Sequence, residues 1–141
     1  MNKNLHRGKS KATGKWVKGY LIGDDVLAKQ GTTYDLDEGY INGLDADEVD
    51  PYTVGMSTGI IDENDVEIFE GDIVEVTVNQ VEDVDVYGRG AKKIGYIVYD
   101  DNYGLYTCKN NFMNFITWSF NDYKVIGNVF DNVKLLEKNH E

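Results

Sequence analysis

The most constraining feature of this sequence is a short run near its middle, Ile73-Val74-Glu75-Val76-Thr77-Val78. Val74, Val76 and Val78 alternate with Glu75 and Thr77. Only an extended chain sorts such a run into one apolar and one polar face, because side chains repeat every two residues in a strand. The same short-period pattern recurs along most of the chain, while helical periodicity is scarce. Strands are expected at 15–22, 26–28, 32–34, 54–57, 59–61, 66–69, 73–78, 93–99, 105–108 and 123–130, with Tyr40-Ile41 paired inside an otherwise looped 35–48. Turn signals separate them: Asp24-Asp25, Asp50-Pro51, Asp62-Glu63-Asn64-Asp65, Glu70-Gly71-Asp72 and Asp101-Asn102-Tyr103-Gly104.

Strands this short, punctuated this often, indicate a small barrel or sandwich. The expected class is mostly all-β, with one or two short helices. Phe112, Phe115 and Ile116 stand at helical spacing, and Asp131 could cap a turn through Leu135-Leu136. The 141 residues suit two parts: an N-terminal β-rich subdomain at 1–58 and a barrel core within 59–141. A chain of this length needs no metal or disulfide to fold, and the single cysteine, Cys108, permits no internal disulfide. The basic start, from Met1 to Lys9, has no apolar run behind it, and no segment approaches membrane-spanning length. The expectation is a cytoplasmic protein.

Charge divides the chain more sharply than hydropathy does. Residues 1–20 hold six bases and no acid, residues 21–87 nineteen acids and only Lys29, and residues 88–141 seven bases and six acids, for a net −11. The acidic middle repels phosphates and suits a basic protein partner. Its candidate protein-binding residues are Asp35, Asp37, Glu38, Asp45, Asp47 and Glu48. The competing reading is a solvated face that keeps the chain soluble. The basic arm offers a second candidate, in which Lys9, Lys11 and Lys15 contact phosphates while Trp16 stacks on bases. Lysines that guard a sheet edge against wrong pairing account for the same pattern. Aromatics from Tyr96 to Phe120 could line a groove, although a small barrel needs large side chains in its core.

Chemical motifs fail on inspection. From Asp62, a calcium loop would need an oxygen ligand where Val66 stands, glycine at Glu67 and glutamate at Ile73. Gly8-Lys9-Ser10 lacks the upstream glycine of a phosphate loop, since that position is Lys3. Gly88-Arg89-Gly90 lacks the third glycine of a dinucleotide fingerprint. Two histidines and one cysteine match no familiar zinc spacing, and Cys108 reads better as a small core residue than as a nucleophile. The chain is therefore expected to be a non-enzymatic binding protein without metal or cofactor. Self-association is open, because small β domains have edges to cover.

An ordered set of phrases carries a family resemblance. Arg7-Gly8-Lys9 precedes Gly14-Lys15-Trp16-Val17-Lys18-Gly19-Tyr20; then follow Val54-Gly55, Thr58-Gly59-Ile60-Ile61-Asp62-Glu63-Asn64, Glu67-Ile68-Phe69-Glu70-Gly71-Asp72-Ile73-Val74 and finally Tyr123 to Asn132. Together they resemble the YopX family of bacteriophage and prophage proteins. The resemblance implies two β-rich parts, the C-terminal one similar to an SH3-type barrel; the partner expected of the binding protein is a host or phage protein. The resemblance implies no catalytic residues. One departure stands out: the family's usual Asp-Lys-Asn-Gly-Lys-Glu turn is Asp-Glu-Asn-Asp-Val-Glu at 62–67, with Asp65 where glycine would take positive φ at little cost.

Overall fold

The computed structural model describes residues 5–29, 33–35, 40–42, 46–78, 88–110, 114–115 and 122–140. The chain divides into two compact units, Met1–Ser57 and Thr58–Glu141. The first contains β1 (Leu5–Lys9), β2 (Trp16–Ile22), β3 (Val26–Ala28), β4 (Thr33–Asp35), β5 (Tyr40–Asn42) and β6 (Ala46–Glu48). β7 (Gly55–Ile61) carries the chain from the first unit into the second. The second holds β8 (Glu67–Phe69), β9 (Asp72–Thr77), β10 (Lys92–Asp100), β11 (Leu105–Lys109), β12 (Asn114–Phe115) and β13 (Asp122–Asn128). The strand pairs are antiparallel, and the described residues contain no α-helix. Two 3-10 helices occur, Pro51–Thr53 and Val133–His140.

In the first unit the sheet order is β6-β3-β2-β1, with the start of β7 beside β1. β1 is absent from the strands expected of the sequence, because Leu5–Lys9 shows no apolar alternation. Its conformation comes from partners on both sides: Leu5 to Lys9 pair with Tyr20 to Trp16, and His6 pairs with Met56. Two glycines allow the close packing. A Cβ on Gly19 would stand 2.5 Å from the Ala28 carbonyl oxygen, and one on Gly8 would stand 3.1 Å from Val49. Leu27, Ala28 and Val49 are the buried apolar residues gathered by this arrangement. β6 likewise corrects the looped reading of 35–48, since Ala46–Glu48 pairs with β3. Asp50 accepts from Tyr52 N at 3.0 Å, and Pro51 opens the 3-10 turn where a missing N–H costs nothing.

In the second unit the alternation that opens the sequence reading is realised in β9. Val74 and Val76 are fully buried with Ile68, Val78, Ile97, Cys108 and Tyr123, while Glu75 is partly exposed on the other face and meets Lys92 at 3.4 Å. The sheet order is β12-β11-β10-β9-β13, an open ladder among the described residues rather than a closed barrel. Its β13 edge is covered by a turn instead of a strand. Glu63 N donates to Tyr123 O at 3.0 Å, and Val125 N donates to an Asp62 carboxylate oxygen at 2.8 Å. Unpaired strand edges invite foreign strands, so this cover protects the fold. A bulge between Val125 and Gly127 then bends β13, and Gly127 sits so close to Asn132 that a Cβ would lie 2.6 Å from its side-chain oxygen.

The helix expected near Phe112 is corrected at Asn114–Phe115, which is a strand paired with Cys108 and Lys109. The β-sheet partner overrides a weak helical spacing there. Phe112, Ile116 and the rest of that segment lie outside the described residues. The C-terminal turn expected through Leu135-Leu136 is the 3-10 helix Val133–His140, which lies against β10.

Candidate functional site

The two charged candidates of the sequence meet each other. Lys9 and Trp16 are directly opposed across β1 and β2, and Arg7 opposes Lys18 two residues along the same face. The Arg7 guanidinium lies 4.8 Å from the Trp16 ring centre and the Lys9 ammonium 5.5 Å from it, both within cation–π reach. Arg7 was not among the residues singled out for this face. Its two-residue spacing from Lys9 was the available signal. Lys15 is exposed in the β1–β2 turn.

Lys11 belongs elsewhere. Its ammonium meets Glu48 at 3.4 Å and Asp25 at 3.9 Å, and its backbone N–H donates to Glu48 O at 2.9 Å. A residue of the basic candidate thus neutralises one of the acidic candidate. Exposed pairs of this kind stabilise by about 0–1 kcal/mol, so the contact matters more for local charge than for stability. Asp47 is half-buried opposite Leu27, and Asp35 lies in the β4–β5 ribbon opposite Tyr40. Asp37, Glu38 and Asp45 lie outside the described residues.

The described surface of the second unit presents a different feature, the β10–β11 hairpin. Its turn is built from carboxylate and glycine. Asp100 Oδ1 accepts from Asn102 N at 2.9 Å, Asp100 O accepts from Gly104 N at 2.8 Å, and Gly104 takes a φ of 68°. This closes the strands in register and raises three tyrosines. Tyr99 and Tyr106 oppose each other with ring centres 5.3 Å apart at 77°, an edge-to-face pair. Tyr106 packs on the buried core, whereas Tyr99 is 42% exposed and Tyr103, in the turn, 55%. Burial, then the charge of Glu70, then Tyr99 push the Tyr106 phenol up to about 12. Leu105 and Asp100 pair on the opposite face of the hairpin. Among the described residues no base pairs with Glu70, Asp100 or Asp101.

Two other groups with chemical potential have structural employment. Asp62, 6% exposed, accepts from Asn64 N at 2.8 Å and Val66 N at 2.9 Å through Oδ1, and from Val125 N at 2.8 Å through Oδ2. Burial alone would raise its pKa, but those N–H donors, with Lys124 nearby, outweigh burial and hold it below the ordinary carboxylate value. Cys108 is 1% exposed in the core, and burial pushes its thiol up to about 12. It is protonated at neutral pH and has no thiolate with which to attack. Among the described residues no three of His, Cys, Asp and Glu gather to hold a metal ion. No helix there is long and apolar enough to cross a membrane.

These features define a two-unit, all-β protein that carries an exposed aromatic hairpin and a half-buried cation–aromatic ledge. A family model described as YopX protein matches residues 5–137, nearly the whole chain, and the chain belongs to the YopX family. No match is found among curated proteins.

Proposed function

We propose that this chain is a non-enzymatic accessory protein of a phage or prophage, working in the bacterial cytoplasm by binding a host or phage protein. The observation that carries the reading is the β10–β11 hairpin: Tyr99 and Tyr103 stand exposed at its hydrogen-bonded end, Asp101 lies in the same turn, Glu70 acts on the neighbouring Tyr106, and no base pairs with either acid among the described residues. Rigid aromatic side chains lose little entropy on docking and dominate interface energetics. Charge points the same way. The second unit holds sixteen acids against seven bases, net −9, and the first nine against seven, net −2. A basic partner would be steered towards the hairpin unit. We read the second unit as an SH3-type arrangement whose β13 edge is completed by the Asp62 turn.

An affinity capture from prophage-induced lysate, with and without nuclease, tests the reading. A discrete protein should survive nuclease, weaken as salt is raised, and be lost with the paired variant Tyr99→Ala/Tyr103→Ala. An unchanged protein set in that variant would remove the hairpin from the mechanism. Loss of all protein on nuclease treatment would favour the second reading, a nucleic-acid-associated module. That reading rests on Arg7 and Lys9 stacked over Trp16. It requires Lys9→Glu and Lys15→Glu to abolish oligonucleotide binding at low salt.

A further inference from the structure

We infer that the β10–β11 hairpin selects arginine, seating a guanidinium from an extended basic segment of its partner against Tyr99, with Glu70 and Asp101 as counter-charges. This rests on the protein-binding reading above and names the chemistry of the ligand.

Three observations converge. The first is the aromatic surface. Tyr99 is held edge-to-face on Tyr106, which is itself anchored on the core, so the exposed ring is set before any ligand arrives. Its hydroxyl reaches the turn, 4.0 Å from where a Cβ on Gly104 would stand. The second is uncompensated charge. Glu48 and Asp25 are paired with Lys11 and Glu75 with Lys92, whereas among the described residues no base pairs with Glu70 or Asp101. Glu70 lies close enough to act on the Tyr106 phenol, and Asp101 is exposed in the turn. The third is the match between these two. An exposed ring on a hairpin whose turn carries the Asp101 carboxylate suits a planar, weakly hydrated cation that stacks and donates at once. Guanidinium does both, whereas an ammonium is more strongly hydrated and presents no plane. A lysine-rich segment would be attracted by the same charges but would gain less from the ring.

The test uses the full chain and two fluorescent peptides of equal length and charge, one with arginine and one with lysine alternating with glycine. The arginine peptide should bind at least about threefold more tightly by anisotropy, the preference expected of an exposed cation–aromatic contact. Tyr99→Leu should abolish that preference while leaving salt-dependent binding. Tyr103→Ser, at an exposed turn position, should reduce it without touching the core, and Glu70→Gln should weaken both peptides. Equal affinity for the two peptides, or a preference that survives Tyr99→Leu, overturns the inference. If neither peptide binds yet lysate capture still depends on Tyr99 and Tyr103, the binding reading stands and the arginine chemistry falls. If capture is also indifferent to both tyrosines, both fall.

Discussion

Replacing Asp62 by alanine should open the β13 edge, and the cost follows from its three N–H donors. Val125 N is half-buried and has the carboxylate as its acceptor, so its loss leaves a poorly hydrated donor, at about 1–3 kcal/mol. Asn64 and Val66 are exposed, so their N–H groups regain water, and their bonds cost about 0.5–1 kcal/mol each. The expected loss is roughly 2–5 kcal/mol, a large part of a marginal stability. Asp62→Asn refines the argument. Its carbonyl can serve the turn as Oδ1 does, but its NH2 then faces Val125 N, donor against donor, so the Val125 part of the loss should remain. The assay is urea unfolding by far-UV circular dichroism, with hydrogen exchange of the Val125 amide as the local readout. The folded pKa of Asp62 is lowered, so its contribution is fully present above the unfolded value, about 3.9, and is lost as pH falls through the folded value. The gap between wild type and Asp62→Asn should therefore be constant near neutrality and close in acid. A loss below about 0.5 kcal/mol for Asp62→Ala, the size of an ordinary surface change, would refute the reasoning. So would a Val125 amide that exchanges no faster in either variant.

Gly95→Ala should destabilise by about 1–3 kcal/mol, the range for overpacking, because its Cβ would stand 2.7 Å from Cys108 Sγ and 2.9 Å from Lys109 O. The unfolding midpoint checks it, and the double variant Gly95→Ala/Cys108→Ala should recover only the part owed to sulfur. Asp65 takes a φ of 64°, so Asp65→Val should cost roughly 1–2 kcal/mol while Asp65→Gly costs nothing measurable. Cys108, with its thiol near 12, should resist alkylation at pH 8 in the folded protein and react at once in urea. Rapid labelling of the native protein would place it outside the core.

Legibility in the sequence tracked how local the determining physics was. β9 was readable because its alternation states its own burial, β10 because its run of β-branched and aromatic residues favours a strand, and the Asp101–Gly104 turn because glycine and asparagine announce positive φ and tight reversal. Asp65 was readable in a finer sense: the family's glycine marks a left-handed position, and the structure puts Asp65 at positive φ. β1 and β6 were not readable, since Leu5–Lys9 and Ala46–Glu48 carry strand structure imposed by neighbours rather than by their own pattern. The helix near Phe112 failed for the converse reason: three apolar residues at helical spacing are too few to outweigh a sheet partner supplied by Cys108 and Lys109. No composition rule could have foretold that Asp62 covers the β13 edge, because its partner Val125 is sixty-three residues away.

Charge shows the same limit at the level of the site. Read along the chain, bases and acids form a basic arm and an acidic middle that look like two separate binding surfaces. Folding brings Lys11 onto Glu48 and Asp25, so within the first unit the two surfaces partly cancel, and that unit has little net charge. What survives of the arm is a face, Arg7 and Lys9 around Trp16, rather than a charged string. The acidity resides instead in the second unit, where Asp101 shares a turn with the exposed Tyr103 and Glu70 acts on Tyr106, tyrosines that the sequence had assigned mainly to the core. An exposed ring among carboxylates is a more selective surface than a run of acids, because the ring discriminates between cations that charge alone treats alike. Under the proposed binding role, a preference for arginine over lysine, not total charge, is the property that would separate a specific hairpin contact from general attraction to an acidic protein.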